Sequence, residues 1–216
     1  MSHVNIHPSH YDMVVMVSGG IDSTVLLYDL VRKKKAKPLA LHFLNLTSSY
    51  EYGYVEKTVN KLGVSFETID YFHFLNVCVP PRSVSRRADG RIVFGNTVVL
   101  SMALAFTIAR SIPELYIALN KVDSESYIEN TPLFMDYLRQ GLEIVDSDCS
   151  LCTPYHYLSK SQIIKIGIEI GVDFNITLSC INPIDGKQCN KCDSCRDRKI
   201  AFRELGVEDP KELNST

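Results

Sequence analysis

The chain has 216 residues, of which 45% are hydrophobic and 22% charged, and a net charge of −2. That is enough for one domain, or one domain with a small appendage, around a real core. It gives no electrostatic reason to expect tight nucleic-acid binding, which normally shows as a basic excess.

No apolar run approaches the ~20 residues that span a bilayer. The opening MSHVNIHPSHYD is polar and lacks the apolar segment of a signal peptide, so residues 1–11 are expected to form a loose lead-in to a cytoplasmic protein. Seven cysteines is an odd number, and without an export signal a disulfide framework is not expected. Four of them fall between positions 180 and 195, which suggests a metal site in a reducing compartment.

In chain order, DMVVMV reads as a buried strand, a short β-branched run bounded by turn residues. After Ser-Gly-Gly, residues Asp22, Ser23 and Thr24 open a helix with Val25, Leu26, Tyr28, Leu30 and Val31 on its apolar side. Its terminal Arg-Lys-Lys-Lys places cations at the negative end of the helix dipole; a solvated helix end is a better reading than a nucleic-acid patch. KPLALHFL is the second strand, SSYEYGYVEKTVNKLG a helix stopped by Gly63, and VSFETID the third strand. Residues 71–95, with Pro80, Pro81, Arg82, Arg86, Arg87 and Arg91, read as an irregular loop, either a lid or docking surface or simply solvated.

NTVVLSMALAFTIARS is expected to be a helix buried on more than one side. ELYIALN is the fourth strand, followed by a helix over 131–143, a strand over 149–153 and a helix in SKSQIIKIGIEIG. This alternation predicts an α/β fold, a Rossmann-like open parallel sheet with helices on both faces. Residues 12–179 would form the main domain, and 180–210 a cysteine-rich appendage with its own helix.

The turn SGGIDST sits where such sheets bind ligands, beyond the carboxyl end of a strand. Glycines let the backbone approach a ligand, and the helix start offers unpaired N–H groups and a positive dipole end to an anion. A plain tight turn with a good helix cap is the alternative. The segment has neither the Gly-Lys-Ser/Thr ending of a Walker A loop nor the G-x-G-x-x-G of a dinucleotide fold.

Cys180, Cys189, Cys192 and Cys195 contain two consecutive C-x-x-C steps, and Asp185-Gly186 lets the chain double back between the first two. Four thiolates around one ion is the closed arrangement of structural zinc. An iron–sulfur cluster or four unrelated thiols are the rival readings. Cys149 and Cys152 share the C-x-x-C spacing but fall in an expected strand, where positions i and i+3 point to opposite faces. Cys78 has no partner in sequence.

Strand–SGGIDST–helix resembles the pyrophosphate loop of the ATP pyrophosphatase superfamily, with its adenine nucleotide alpha hydrolase-like fold. Together with LSKSQIIKIG and TLSCINPIDGKQCNKCDSCRDRKIAFRELGVEDP, it is similar to the 7-cyano-7-deazaguanine synthase family over residues 12–210. The resemblance implies an ATP-dependent carbon–nitrogen ligase that adenylates 7-carboxy-7-deazaguanine, releases pyrophosphate and then AMP, and uses ammonia to reach the nitrile. Ser18, Gly19, Gly20, Asp22, Ser23 and Thr24 would contact ATP. Asp22, Ser23 and Lys160 would be catalytic, Asp22 beside Mg²⁺ and Lys160 as a cation on the departing pyrophosphate. The four tail cysteines would hold one structural Zn²⁺.

The same resemblance points to Asn96, Asn120, Asp123 and Tyr127 on the substrate side, where the chain also differs from the family. HFLNLTSSYEYG stands where the family has Asp-Tyr-Gly-Gln, VFGN keeps Asn96 without the preceding arginine, and Ile128-Glu129-Asn130 replaces Pro-Asp-Cys. A hydrogen-bonding pocket that changes its polar groups changes its ligand. A second reading is therefore a relative that joins a deazaguanine carboxylate to another amine, on a protein or nucleic acid. A third is a tRNA-modifying enzyme of the same superfamily, which the acidic balance disfavours. A homodimer is compatible with all three.

Overall fold

The computed structural model describes residues 10–44, 49–71, 95–145 and 147–213. Five strands, β1 (Met13–Met16), β2 (Pro38–Leu44), β3 (Ser65–Asp70), β4 (Glu114–Tyr116) and β5 (Ser150–Cys152), form one sheet in the order β3-β2-β1-β4-β5. Every pairing is parallel. The chain runs outward from β1 to β3 and then returns to the other side of β1, so the strand order reverses between β1 and β4. Such a switch point opens a crevice at the carboxyl ends of the strands.

Both faces of the sheet are covered, as the near-continuous apolar runs of β1 and β2 require. On one face Val15 and Ala40 pack with Val25 and Leu26 of α1 (Ile21–Arg32) and with Ile163 and Ile164 of α6 (Lys160–Glu169). On the other, Val14, Leu39 and Leu115 meet Leu100 and Leu104 of α3 (Gly95–Ala109) and Met135 of α5 (Pro132–Ile144). Neighbouring residues of β1 thus serve opposite layers, as the pleat dictates. β3 lies at the edge and exposes Ser65, Glu67, Thr68 and Asp70, polar groups that discourage further strand pairing.

Local signals set the helix ends. α2 (Ser49–Leu62) stops at Gly63, whose φ of +65° a side chain would resist. Thr131 caps α5 with Pro132 in its first turn, and Ser159 with Gln162 closes a capping box on α6. α3 departs from expectation: its buried residues, Leu100, Ala103, Leu104 and Thr107, lie along one face, while Ile108 is 41% exposed. It covers the sheet from outside, so one apolar side suffices.

The short helix α4 (Lys121–Ser126) and the turn Ile128–Asn130 have no apolar period to announce them. They are held by the reciprocal cap between Asn120 and Asp123. In the tail, α7 (Asp193–Glu204) sends Ala201 and Phe202 into the core shared by α1 and α6, and the short α8 (Pro210–Leu213) follows. Among the described residues no helix is long and apolar enough to cross a membrane. The expected loop lies outside the described residues over 72–94, and so does Cys78.

Candidate active site

The Ser-Gly-Gly turn lies at the carboxyl end of β1, beside the switch point. Its oxygens are not used as caps. Gly20 occupies the N-cap of α1 with no side-chain hydrogen bond, leaving the first-turn N–H groups without a side-chain acceptor. Ser23 Oγ instead accepts from Ser18 N at 3.1 Å and lies 3.1 Å from Ser18 Oγ, which in turn accepts from Gly20 N at 3.3 Å. The hydroxyls lock the turn and the helix start remains open, which is the arrangement an anion requires.

Gly19 has φ +75°, and a Cβ there would come within 3.0 Å of the Glu51 carbonyl oxygen and 3.1 Å of Tyr54 Cβ. Only glycine fits between the turn and α2.

Beside the turn, Asp22 Oδ2 accepts from Lys160 Nζ at 2.7 Å and Asn120 Nδ2 at 3.1 Å. Its Oδ1 is buried and has no hydrogen-bond partner among the described residues. Burial alone would pull the Lys160 pKa down, but the Asp22 carboxylate outweighs it, helped by Asp123 and Asp197, and holds the ammonium above its ordinary range. Asp123 is shifted upward, chiefly by burial and further by the Asp22 charge, against the pull of the Asn120 N–H. A fixed cation, an open anion-binding turn and an unpaired carboxylate oxygen therefore meet at one edge of the sheet.

A cavity of about 360 Å³ opens over this edge, walled by the turn, by Asp22 and Asp123, and by the ends of β2 and β4. His42 of β2 is 2% exposed and donates from Nδ1 to the Val17 carbonyl at 2.8 Å, since a carbonyl can only accept. Burial lowers its pKa despite that bond, so the ring is neutral at physiological pH. Glu51, in the first turn of α2, also lines the cavity.

The sulfur atoms of Cys180, Cys189, Cys192 and Cys195 all lie within 4.8 Å of one another. Asn190, at φ +56°, turns the chain between Cys189 and Cys192. Cys192 is the N-cap of α7 and stands 3.4 Å, sulfur to sulfur, from Cys195 in its first turn.

The cluster is tied to the glycine turn. Leu178 packs against Cys180 and Cys195, and its N–H donates to the Gly19 carbonyl at 2.8 Å. Arg198, fully buried, makes a bidentate pair with Asp209 (2.6 and 2.8 Å) and also donates to Thr177 Oγ1 and the Phe174 carbonyl. The segment from Phe174 to Cys180 is thus a strap between the cysteines and the turn.

The structure brings Ser18, Gly19, Gly20, Asp22, Ser23, Asn120, Asp123 and Lys160 together. Thr24 is buried one turn into α1, its N–H on the Gly20 carbonyl. Asn96 and Tyr127 are not on the cavity wall: Asn96 Nδ2 donates to Asn130 Oδ1 at 3.2 Å, and Tyr127 caps α4 through its backbone. Sequence reasoning passed over Glu51, His42 and the Arg198–Asp209 pair. The arginine and aspartate stand in the motif C-x-x-R…DP, a signal that was present but carries no chemistry until the two meet.

Parallel strands with a reversal beside β1, and an anion-ready glycine turn at that point, define a nucleotide-binding protein of the PP-loop class. The family model described as queuosine biosynthesis protein QueC matches residues 12–206, and the chain belongs to that family. It is 32% identical over 215 residues to the 7-cyano-7-deazaguanine synthase of Methanoregula boonei, covering 92% of this chain and 97% of that one. It is 28% identical over 234 residues to the enzyme of that name from Leptospira biflexa, covering 91% and 92%. Among solved structures, the U34-tRNA thiolase NcsA from Methanococcus maripaludis, with its 4Fe-4S cluster, superimposes with a TM-score of 0.59 at 14% identity, covering 99% of this chain and 72% of that one. That likeness concerns the fold.

Proposed function

We propose that the protein is an ATP-dependent ligase that adenylates a 7-deazaguanine carboxylate and passes it to ammonia, forming 7-cyano-7-deazaguanine. The observation that carries this reading is the meeting of Lys160, Asp22 and the uncapped Ser-Gly-Gly turn at the switch point of a QueC-family fold. A carboxylate resists amine attack because its leaving group would be an oxide. Attack of its oxygen on the α-phosphorus of ATP turns that leaving group into AMP and expels pyrophosphate. The open N–H groups of α1 and the Lys160 ammonium suit the charge that collects on pyrophosphate as it leaves. Adenylation of the resulting amide, followed by loss of AMP, gives the nitrile.

Two metals fit the residues present. Asp22 Oδ1, buried and unpaired, would hold Mg²⁺, which when bound supplies Lewis-acid stabilisation to the phosphates. The four cysteines would hold Zn²⁺: thiolates about 2.3 Å from one ion stand about 3.8 Å apart, consistent with sulfurs all within 4.8 Å. A four-iron cluster, with each thiolate on its own iron, needs wider spacing. All four positions are filled by protein, so this metal would be structural.

The decisive assay supplies ATP, ammonium and 7-carboxy-7-deazaguanine and follows products by mass spectrometry. Nitrile, AMP and pyrophosphate are expected; ADP with phosphate would sink the reading. The altered acceptor side, with Ile128-Glu129-Asn130 and HFLNLTSSYEYG, favours a second reading in which another amine, on a protein, takes the activated carboxylate. Adenylation without amide formation until such an amine is added would select it. AMP release that depends on added tRNA would instead support a tRNA-modifying enzyme.

A further inference from the structure

Among the described residues three carboxylates line the cavity, Asp22, Asp123 and Glu51, and two are committed. Asp22 spends one oxygen on Lys160 and Asn120, and Asp123 closes the cap on the Asn120 N–H at 3.0 Å. Glu51 forms no ion pair among the described residues. The turn of α2 that carries it is pressed against the nucleotide turn, its carbonyl 3.0 Å from where a Gly19 side chain would begin.

Among the described residues the other titratable groups on the cavity wall are His42 and Tyr71, together with Lys160 held behind Asp22. None of them sets the proton affinity of Glu51: burial does, raising its pKa from 4.5 to about 7.

We propose that Glu51 is the base that takes the proton from the amine as it attacks the adenylated carboxylate. This rests on the ligase reading. The amine nitrogen bonds to the carbonyl carbon, whose π electrons move to oxygen, and the nitrogen becomes positively charged. The Glu51 carboxylate removes one N–H proton. The oxygen electrons re-form the carbonyl, the bond to the phosphate oxygen breaks, and AMP leaves with that electron pair. The amide remains, and Glu51 returns its proton to water. The step needs a proton acceptor on the cavity wall that is not already holding a cation or a helix cap. Of the three carboxylates described there, Glu51 alone meets that description.

The test separates the two half-reactions. Exchange of labelled pyrophosphate into ATP, dependent on 7-carboxy-7-deazaguanine, reports adenylation; amide and nitrile formation from ammonium reports amination. Glu51→Gln should keep exchange within about threefold of wild type while amination falls roughly 100-fold or more, and, with rates expressed per free ammonia so that the titration of ammonium itself is removed, the rise of the amination rate through pH 7 should vanish. Hydroxylamine, which is largely neutral near pH 7 and needs less help from a base, should restore most of the lost rate.

Equal loss of both half-reactions, or amination with an unchanged pH profile, would overturn the proposal. Should Glu51→Gln fail to fold, Glu51→Asp makes the same division, with a loss confined to amination expected. Wild-type protein without any exchange would instead overturn the ligase reading itself, and this proposal with it.

Discussion

The molecule contains the same short cysteine spacing in two regions, with opposite outcomes. Cys192 and Cys195 straddle the start of a helix, one at the N-cap and one in the first turn, and their sulfurs lie 3.4 Å apart. Cys149 and Cys152 run into β5, and the pleat sends them to different layers, Cys149 among the α3–α5 core and Cys152 against the α1–α6 core. Burial pushes the Cys149 thiol up to about 11. In the cluster the directions are mixed: burial also raises Cys180 and Cys195, whereas the backbone N–H groups of Lys191 and Cys192 draw Cys189 down to about 6. What separates the two regions is the gathering of sulfurs. The same three-residue step gathers sulfurs that could hold a metal only where the backbone turns.

The sharpest way to break that contrast is to disarm the knuckle. Cys195→Ser, or removal of the bound metal by a chelator, should release the strap that ends on the Gly19 carbonyl. ATP affinity should drop more than tenfold and the melting temperature should fall by many degrees, because metal binding energy is folding energy at such sites. Titration with ATP and a thermal melt read both effects; unchanged ATP affinity in a metal-free, folded protein would separate the knuckle from the turn.

Breaking the brace between them comes next. Arg198→Met strands Asp209 without its partner, at a cost of about 3–5 kcal/mol, measurable by denaturant unfolding. Pairing it with Asp209→Leu should recover part of that loss, since no buried charge is left alone.

A smaller effect is expected where the strap ends. Gly19→Ala adds a Cβ at positive φ against Glu51 and Tyr54, costing about 1–2 kcal/mol and raising the KM for ATP more than it changes the stability of the knuckle. The smallest effects belong to β5: Cys152→Ser should leave metal content unaltered and move stability by about 1 kcal/mol or less, as metal analysis and a thermal melt would show.

Much of this protein is legible from local pattern. The strands DMVVMV, KPLALHFL and VSFETID announce themselves by composition, and SGGIDST by its place after the first of them. The knuckle is readable because cysteines that could share a metal cluster in sequence when the loop that carries them is short. Glu51 is not readable: on an amphipathic helix a glutamate signals a solvated face, and only the packing of α2 on the glycine turn buries it. α4 is hidden for a related reason, since a six-residue helix with one apolar side chain, Val122, and one capping box has no period to detect. The one-sided burial of α3 likewise depends on where the sheet lies, which a uniformly apolar helix does not disclose.

The amino-acid order alone determined the alternation of strand and helix, the glycine turn and the four clustered thiols, because each arises from contacts between residues close along the chain. Tertiary structure alone decided that Lys160 reaches Asp22 across 138 positions, that Arg198 finds Asp209 beneath the strap, and that a glutamate stands at the cavity wall with no ion-pair partner among the described residues. Those pairings depend on how the sheet folds back at β1, and the free energy of burying or pairing a charge has no meaning until that geometry exists.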